Sequence, residues 1–385
     1  MVQADGGLIA DRCAAKRSHR VLSSLYIPNT RRSSALVPPV ATVQEGASDS
    51  PANKHLLFPA QMSIRTTQRR TPAFQMIDGV PRCIDVDPDT FRENLKFRAK
   101  EGDIVQCTFP KSGTNWIQYI TQLILRRGEP MNDYREFCDG WRFIDYMNIK
   151  NWESPYPLRS FSTHLPLSME RVNDEGKYVY LARNPWDVCV SFYNMATRIS
   201  YYDFQDGTFE EFVDAFLSGN FGYGDYFEHV AAGYAMRNQP NLLFLTYEAL
   251  KKNTRDVVLR LAYFMGECYG RALEQDEGLL KKLLQSSTPA HMRNVVVVDL
   301  GSDWHPELRL NPLRGKVTCK EGYAGNKSQF AYVRSAKVGG WKEYFTPELL
   351  RRMEARIIEL EKTSSFMDLW KDFRAEACRH SSGWN

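Results

Sequence analysis

The sequence predicts an α/β domain in which a central parallel sheet carries helices on both faces. Three apolar segments, each followed at once by a turn and an amphipathic helix, support this fold class: 103–107, 177–182 and 242–245. Strands that alternate with helices pair in parallel, and the helices cover the two faces of the sheet. Ligands of such sheets bind beyond the carboxyl ends of the strands. Lys111, Arg183 and Tyr247 follow those ends.

The composition is typical of a globular protein, because 43% of the 385 residues are hydrophobic and 25% are charged. Residues 1–75 contain ten Lys or Arg and four Asp or Glu, whereas residues 76–385 contain 40 and 42. A nucleic-acid-binding domain usually has a basic body, so we expect no nucleic-acid partner. No stretch approaches the roughly 20 apolar residues that span a bilayer. We therefore expect no membrane partner and a cytoplasmic location.

We expect three segments along the chain. Residues 1–75, rich in Ser, Pro, Ala and Arg and without periodicity, are typical of a disordered basic extension. A transit peptide and an upstream extension of the gene model are the alternatives for this segment. A single domain is expected at 76–375, beginning with a short helix at 91–98 that Asp89-Thr90 caps. Residues 376–385 are expected to form a C-terminal tail.

The eight cysteines are scattered without any CxxC spacing. Paired cysteines or histidines at short spacing are the usual signature of a structural zinc site. We therefore expect free, mostly buried thiols in a reducing compartment, and no bound metal.

The stretch TFPKSGTNW at 108–116 lies between the first strand and its helix. The first amides of a helix have no partner within the helix, and with the helix dipole they favour an anion. This turn is therefore P-loop-like, and its candidate ligands are Lys111, Ser112, Gly113, Thr114, Asn115 and Trp116. It departs from GxxxxGK[ST], since Lys111 precedes a single glycine. An ordinary strand-to-helix turn with a solvated lysine is the alternative.

Residues 130–160 are predicted to be irregular, and they and their flank are unusually aromatic. So long a loop is uncommon unless it folds over something. Phe143, Tyr146 and Phe161 could line an apolar pocket, or they could form a small separate core under the loop. His164 follows this segment, and an imidazole could remove a proton from a hydroxyl there, although a lone histidine is more often structural.

Arg183 and Ser191 form a further candidate site after the second strand. A guanidinium with a hydroxyl two helical turns away suits a second phosphate, although an arginine in this place is more often a surface or ion-pair residue. Because the chain has no GxSxG and no GxGxxG, a serine hydrolase and a dinucleotide oxidoreductase are weaker interpretations.

Three motifs in this order resemble those of the cytosolic sulfotransferase family: PKSGTNW at 110–116, THLP at 163–166 and ARNPWDVCVSFY at 182–193. Two weaker likenesses follow. Residues 247–251 are similar to the YEDL-type element of that family, and residues 334–341 are similar to its RKGxxGDW segment. The resemblance covers about residues 76–370.

The resemblance implies an enzyme that moves a sulfonate from 3′-phosphoadenosine 5′-phosphosulfate (PAPS) to a hydroxyl or amine of a small phenol, alcohol or biogenic amine, without a metal. It implies His164 as general base, Lys111 against the leaving oxygen, and Ser191 beside them. The residues that would bind the nucleotide are Lys111, Ser112, Gly113, Thr114, Asn115, Trp116, Arg183, Ser191, Tyr247, Ser287, Thr288, Arg334, Ser335 and Ala336. Phe143, Tyr146, Phe161 and His164 would form the acceptor pocket.

The chain departs from the family pattern in two places. Ser162 stands where a lysine often precedes THLP, and Ser335-Ala336 replace the Lys-Gly of RKG. The dimer motif KxxxTVxxxE is matched only in part from Lys342 onward, so we expect a monomer or a weak homodimer. Two other functions stay open: a catalytically silent nucleotide-binding module, and a phosphoryl kinase, for which the sequence offers no evident Walker B segment.

Overall fold

A five-stranded parallel sheet is the centre of the protein in a computed structural model that describes residues 70–300 and 317–382. The strands within these residues are β1 (Phe74–Ile77), β2 (Val80–Cys83), β3 (Asp103–Thr108), β4 (Arg142–Phe143), β5 (Arg159–Thr163), β6 (Lys177–Ala182), β7 (Leu242–Thr246), β8 (Val297–Asp299) and β9 (Gln329–Ala331). The central sheet has the order β4-β5-β3-β6-β7, while β1–β2 and β8–β9 are separate antiparallel pairs. The predicted parallel sheet is confirmed.

Helices follow the strands as the sequence predicts. Those in the described residues are α1 (Pro88–Asn94), α2 (Thr114–Leu125), α3 (Tyr134–Asp139), α4 (Pro185–Ala196), α5 (Phe209–Ser218), α6 (Tyr226–Ala235), α7 (Tyr247–Lys252), α8 (Thr254–Met265), α9 (Glu267–Gln275), α10 (Glu277–Ser286), α11 (Pro289–Val295), α12 (Pro347–Leu360) and α13 (Lys371–Ser381). Pro185 and Pro347 stand at the starts of α4 and α12, where the missing proline N–H has no structural consequence.

The sheet separates two hydrophobic cores. In β6, Tyr178 and Tyr180 pack into one core with residues of α4, α5, α6 and α12, whereas Val179 and Leu181 pack into the other with residues of α2, α8 and α10. Successive side chains of a strand point to opposite faces, and both faces here are covered. The helices on both faces are therefore confirmed.

Three predicted boundaries differ from the structure. The first helix is α1, with Asp87 as its N-cap and Pro88 as its first residue, instead of 91–98. β1 begins at Phe74, two residues before the expected start of the domain, and α13 continues to Ser381 through the expected tail. The predicted disorder of residues 1–69 lies outside the described residues.

The segment 130–160 is less irregular than predicted. It contains α3 and β4, and it leads into β5, which pairs with β3 in parallel so that Gln106 faces Ser162. The pairing places the end of β5, and therefore His164, beside the end of β3. Within the described residues no helix is long and apolar enough to cross a membrane.

Candidate active site

A cavity of about 1200 Å³ lies at the carboxyl ends of β3, β5, β6 and β7. Most of the residues that the sequence singles out line it: Lys111, Gly113, Thr114, Asn115, Trp116, Phe143, Tyr146, His164, Arg183, Ser191, Tyr247, Arg334, Ser335 and Ala336. Residues far apart in the chain thus share one cavity, because the ends of parallel strands meet at one edge of the sheet.

The turn between β3 and α2 has the form of an anion site. Lys111 and Gly113 adopt left-handed backbone conformations, with φ of 70° and 111°. No acceptor in the described residues engages the amides of Gly113, Thr114 and Asn115, and α2 has no side-chain cap. These amides and the positive end of the α2 dipole are available to an anionic ligand in the cavity.

Lys111 is a partly buried cation beside other cations. Its Nζ lies 3.5 Å from the sulfur of Met195 and 5.8 Å from the ring centre of Tyr332. Burial, followed by the charges of Arg183 and Arg334, lowers the pKa of Lys111 to about 7. Asp187 Oδ2 lies 3.8 Å from Arg183 Nη2 and compensates part of this charge. The remaining like charges favour the binding of an anion.

Arg183 is held rigidly at the end of β6. Its guanidinium donates to the carbonyl oxygens of Lys111 at 3.1 Å and Lys337 at 3.0 Å, and stacks on Tyr247 at 4.3 Å. The buried Nε has no hydrogen-bond partner in the described part of the chain. Arg183 therefore connects the turn between β3 and α2, called the anion turn below, with α7 and with the loop before residue 339. It is not a solvated surface residue.

Sequence reasoning missed two carboxylates that support this edge. Asp187, in the first turn of α4, accepts from the amides of Gly339 at 2.9 Å and Trp341 at 3.2 Å. Glu248 accepts from the Asn184 amide side chain at 2.7 Å and the Trp370 indole at 2.8 Å. Asp187 is buried and Glu248 is half-buried, and both lie within the resembling motifs. Their role is revealed only by their partners, which lie far along the chain.

His164 has the tautomer of a general base. Its Nδ1 lies 2.7 Å from the carbonyl oxygen of Thr108, and a carbonyl only accepts, so Nδ1 carries the proton. Nε2 is then left as the acceptor. Burial, and to a smaller extent the charge of Lys111, lowers the pKa of His164, although Asp145 opposes this change. The imidazole is therefore neutral near pH 7.

Asp145 fixes the segment that carries His164, and no motif in the sequence indicates this role. Its Oδ2 accepts from the Thr163 hydroxyl at 2.7 Å and from the His164 amide at 3.0 Å. The ring of His164 lies edge-on to Phe143 at 4.9 Å and to Tyr223 at 5.5 Å. Phe143, Tyr146 and Tyr223 line the cavity next to His164, as expected for an acceptor pocket.

Trp116 and Tyr247 meet edge to face, with ring centres 5.3 Å apart. Two rings in direct contact leave no gap for a flat base between them. The Trp116 indole also donates to the carbonyl of Ser287 at 2.9 Å, which fixes its ring plane. A base could therefore stack only on one outer face of this pair.

Four predicted site residues are placed differently from expectation. Phe161 is fully buried in the core, against Phe97 and Trp152, because it lies on the opposite face of β5 from Ser160 and Ser162. The prediction that Phe161 lines the acceptor pocket is thus wrong. Phe143 and Tyr146 line the cavity, whereas Phe161 belongs to the core.

Ser112, Ser287 and Thr288 do not line the cavity. The Ser112 amide donates to the Phe109 carbonyl at 3.1 Å, and its hydroxyl is buried without a hydrogen-bond partner in the described residues. The hydroxyls of Ser287 and Thr288 donate to the preceding turn, at 3.1 Å and 2.9 Å. None of these three side chains is available to a ligand as placed, which corrects that part of the prediction.

Comparison with known proteins agrees with this geometry. The family model described as a sulfotransferase domain matches residues 101–365. A 3-beta-hydroxysteroid sulfotransferase of Cavia porcellus is 30% identical over 271 residues, which cover 68% of this chain and 85% of that protein. Sulfotransferase 1C2 of Oryctolagus cuniculus is 28% identical over 303 residues, which cover 76% of this chain and 94% of that protein.

The fold is also that of solved sulfotransferases. A mouse sulfotransferase crystallised in complex with PAP superposes with a TM-score of 0.55 and 21% identity, over 79% of this chain and 99% of that one. The family model covers more than half of the sequence and includes the anion turn, His164 and Arg183. The chain therefore belongs to the sulfotransferase family.

Proposed function

We propose that this protein transfers the sulfonate of PAPS to a hydroxyl or amine of a small phenol, alcohol or biogenic amine. The observation that carries the proposal is that cations, free helix amides and a neutral imidazole lie in one cavity. Each of these features is unfavourable or unused without a ligand. An anionic donor next to a hydroxylic acceptor would use all three.

The donor end would be the anion turn with its arginines. The amides of Gly113, Thr114 and Asn115 would face the 5′-phosphate, and Lys111 would lie against the leaving oxygen. Arg183, Ser191 and Arg334 would hold the 3′-phosphate. The outer face of Trp116 or Tyr247 would take the base.

PAPS supplies an activated sulfonate on a good leaving group. His164 Nε2 would accept the proton of the acceptor hydroxyl while the oxygen attacks sulfur and the bond to the phosphate oxygen breaks. Lys111 and the α2 amides would stabilise the charge that develops on that oxygen. The proton ends on His164 and the leaving group departs as 3′-phosphoadenosine 5′-phosphate, so the step balances without a further reactant.

The remaining expectations follow from the family. Lys342 and Arg351, at the partly matched dimer motif, form ion pairs with Glu376 and Glu348 of their own chain. A monomer or weak homodimer and a cytoplasmic location stay predictions. Size-exclusion chromatography over a range of concentrations tests the former.

The test is label transfer from ³⁵S-PAPS to a panel of phenols, phenolic amines, steroids and aliphatic alcohols. Lys111→Ala and His164→Ala are expected to reduce transfer by about 10² to 10³, the range for loss of one preorganised donor or one general base. Lys281→Ala, an exposed residue outside the cavity, is the matched control and should retain the parent rate.

Calorimetry with 3′-phosphoadenosine 5′-phosphate separates the outcomes. If the parent binds the nucleotide and transfers label, and both variants lose transfer, the proposal holds. Binding without transfer across the panel would favour the silent nucleotide-binding module instead. A parent that does not bind the nucleotide would contradict both.

A further inference from the structure

The cavity contains an acidic side chain that the donor chemistry does not use. Asp85 follows β2 and lines the cavity. Its Oδ1 is buried and has no hydrogen-bond partner, and no Lys, Arg or His in residues 70–300 and 317–382 forms an ion pair with it. The Cys83 thiol donates to this carboxylate, but without a cationic partner its charged form is disfavoured by burial. Accordingly, burial raises the pKa of Asp85 to about 6.

The backbone around Asp85 is fixed. The side-chain amide of Gln75, in β1, donates to the carbonyls of Cys83 at 3.0 Å, Ile84 at 3.2 Å and Val86 at 2.7 Å. These bonds bracket Asp85 on both sides, and two residues later Asp87 caps α1. The carboxylate is therefore presented to the cavity by a rigid turn and not by a mobile surface loop.

Tyrosines line the same cavity as this carboxylate. Desolvation raises the pKa of five tyrosines that line the same cavity, and the charge of Asp85 adds to the effect at each: Tyr146, Tyr201, Tyr202, Tyr223 and Tyr332. The faces of tyrosine rings attract cations. A carboxylate among such rings has the chemistry that binds an ammonium group.

Asp85 shares the cavity with the proposed base and with two of these rings. The Tyr223 ring lies 5.5 Å from that of His164, and the Tyr223 hydroxyl lies 2.6 Å from that of Tyr146. One small acceptor molecule could therefore contact both His164 and Asp85 within this cavity.

We infer that the acceptor is a small phenol or alcohol that carries a protonated amine, with its ammonium on Asp85 and its hydroxyl at His164. This inference names the acceptor class of the proposed function and rests on that function. A neutral acceptor of the same size would cover Asp85 and leave it unpaired, which is disfavoured. Asp85 is then the residue that sets specificity.

The experiment compares tyramine with 4-propylphenol, a neutral phenol of matching shape, at pH 7.4 with ³⁵S-PAPS. In the parent, kcat/KM for tyramine should exceed that for 4-propylphenol by at least about tenfold. Asp85→Asn should reduce kcat/KM for tyramine by at least about tenfold, mainly through KM, and should raise kcat/KM for 4-propylphenol, because the neutral ring no longer covers an unpaired charge. Asp89→Asn, an exposed aspartate outside the cavity, should change neither value.

Two binding measurements keep this inference distinct from the proposed function. Titration of 3′-phosphoadenosine 5′-phosphate into the parent tests the donor site alone. Titration of tyramine and of 4-propylphenol into the nucleotide-saturated parent tests the ammonium site, and it needs neither turnover nor a variant that folds. If the nucleotide binds but 4-propylphenol binds as tightly as tyramine, or if Asp85→Asn weakens both acceptors equally, the inference is overturned.

Discussion

His164 should make transfer fall in acid. The imidazole acts as a base only when neutral, and burial lowers its pKa below the usual 6.5. A lowered pKa means that the neutral form persists to lower pH than for a free histidine. The rate should therefore be constant near pH 7 and fall as pH decreases through a value below 6.5. A kcat/KM profile with a saturating donor measures this, and a fall that begins above pH 7 would contradict it.

Lys111 should take up a proton when the nucleotide binds. Its pKa of about 7 in the unliganded cavity reflects burial first and the neighbouring arginines second. Phosphate oxygens next to the amine favour its charged form. At pH 8 a largely neutral Lys111 would become protonated on binding, and the affinity would decrease as pH rises above 7.

Calorimetry in two buffers that differ in ionisation enthalpy, HEPES and Tris, measures this uptake directly. About one proton is expected at pH 8, and little uptake at pH 6, where Lys111 is already charged. Lys111→Met should abolish the uptake and Lys281→Met should retain it. An uptake at pH 8 that survives in Lys111→Met would assign the proton to another group.

At the scale of single residues, members of the site could be predicted from the sequence where a motif placed a charged residue or a glycine directly after a predicted strand. Lys111, Gly113 and Arg183 are such cases, since strand-end position and chemistry agree. Asp85 and Asp145 could not be found in this way, because Asp145 acts through partners far along the chain and Asp85 is significant only through the cavity that the fold places beside it. Phe161 was misassigned, because its face depends on a strand that the sequence did not indicate.

At the scale of elements, the strands that sequence analysis found are those with apolar residues. β3, β6 and β7 are predicted within about one residue at each end. β5 was missed because Ser160 and Ser162 are polar, although both are buried. Their hydroxyls donate hydrogen bonds to the side-chain oxygen of Gln118 in α2, at 3.1 Å and 3.4 Å. No local sequence pattern indicates this contact.

The turn between β3 and α2 depends on the absence of a side chain at Gly113. A Cβ there would lie 2.9 Å from Tyr247 Cδ2 and 3.0 Å from Leu181 Cδ2, on a backbone with φ of 111°. Gly113→Ala should lower the free energy of unfolding by about 1–3 kcal/mol through strain. It should also weaken nucleotide binding at least about tenfold, because the free amides move.

Gly102→Ala is the matched control for this turn. Gly102 has φ of 88°, but a Cβ there would meet nothing within 4 Å. The control should lose stability through backbone strain alone and keep its nucleotide affinity. Thermal melts and calorimetry on both variants test this. Equal loss of affinity in the two variants would show that the close approach at Gly113 is unimportant.

At the scale of the whole molecule, polar bonds connect the sheet edge to the end of the chain. The carboxylate of Glu248, in α7, accepts hydrogen bonds from the side chains of Asn184 and Trp370. Asn184 caps α4, and Trp370 precedes α13. Arg374 of α13 is paired with Glu354 of α12 at 2.6 Å. The C-terminal helices therefore support the strand ends that carry the cavity, and α13 continues past residue 375, the expected end of the domain.

The N-terminal border of the functional domain should lie between residue 70 and β1. β1 pairs with β2 from Phe74↔Cys83 to Ile77↔Val80, and its Gln75 fixes the turn that presents Asp85. A chain that begins at Arg70 keeps this hairpin, so it should bind the nucleotide and transfer sulfonate like the full chain. A chain that begins at Asp78 should lose preference for tyramine over 4-propylphenol, because the turn is released, and should melt at a lower temperature because the pairing is gone. If the shorter chain kept both the preference and the melting temperature, β1 would have no part in acceptor selection and Asp85 would need no support from Gln75.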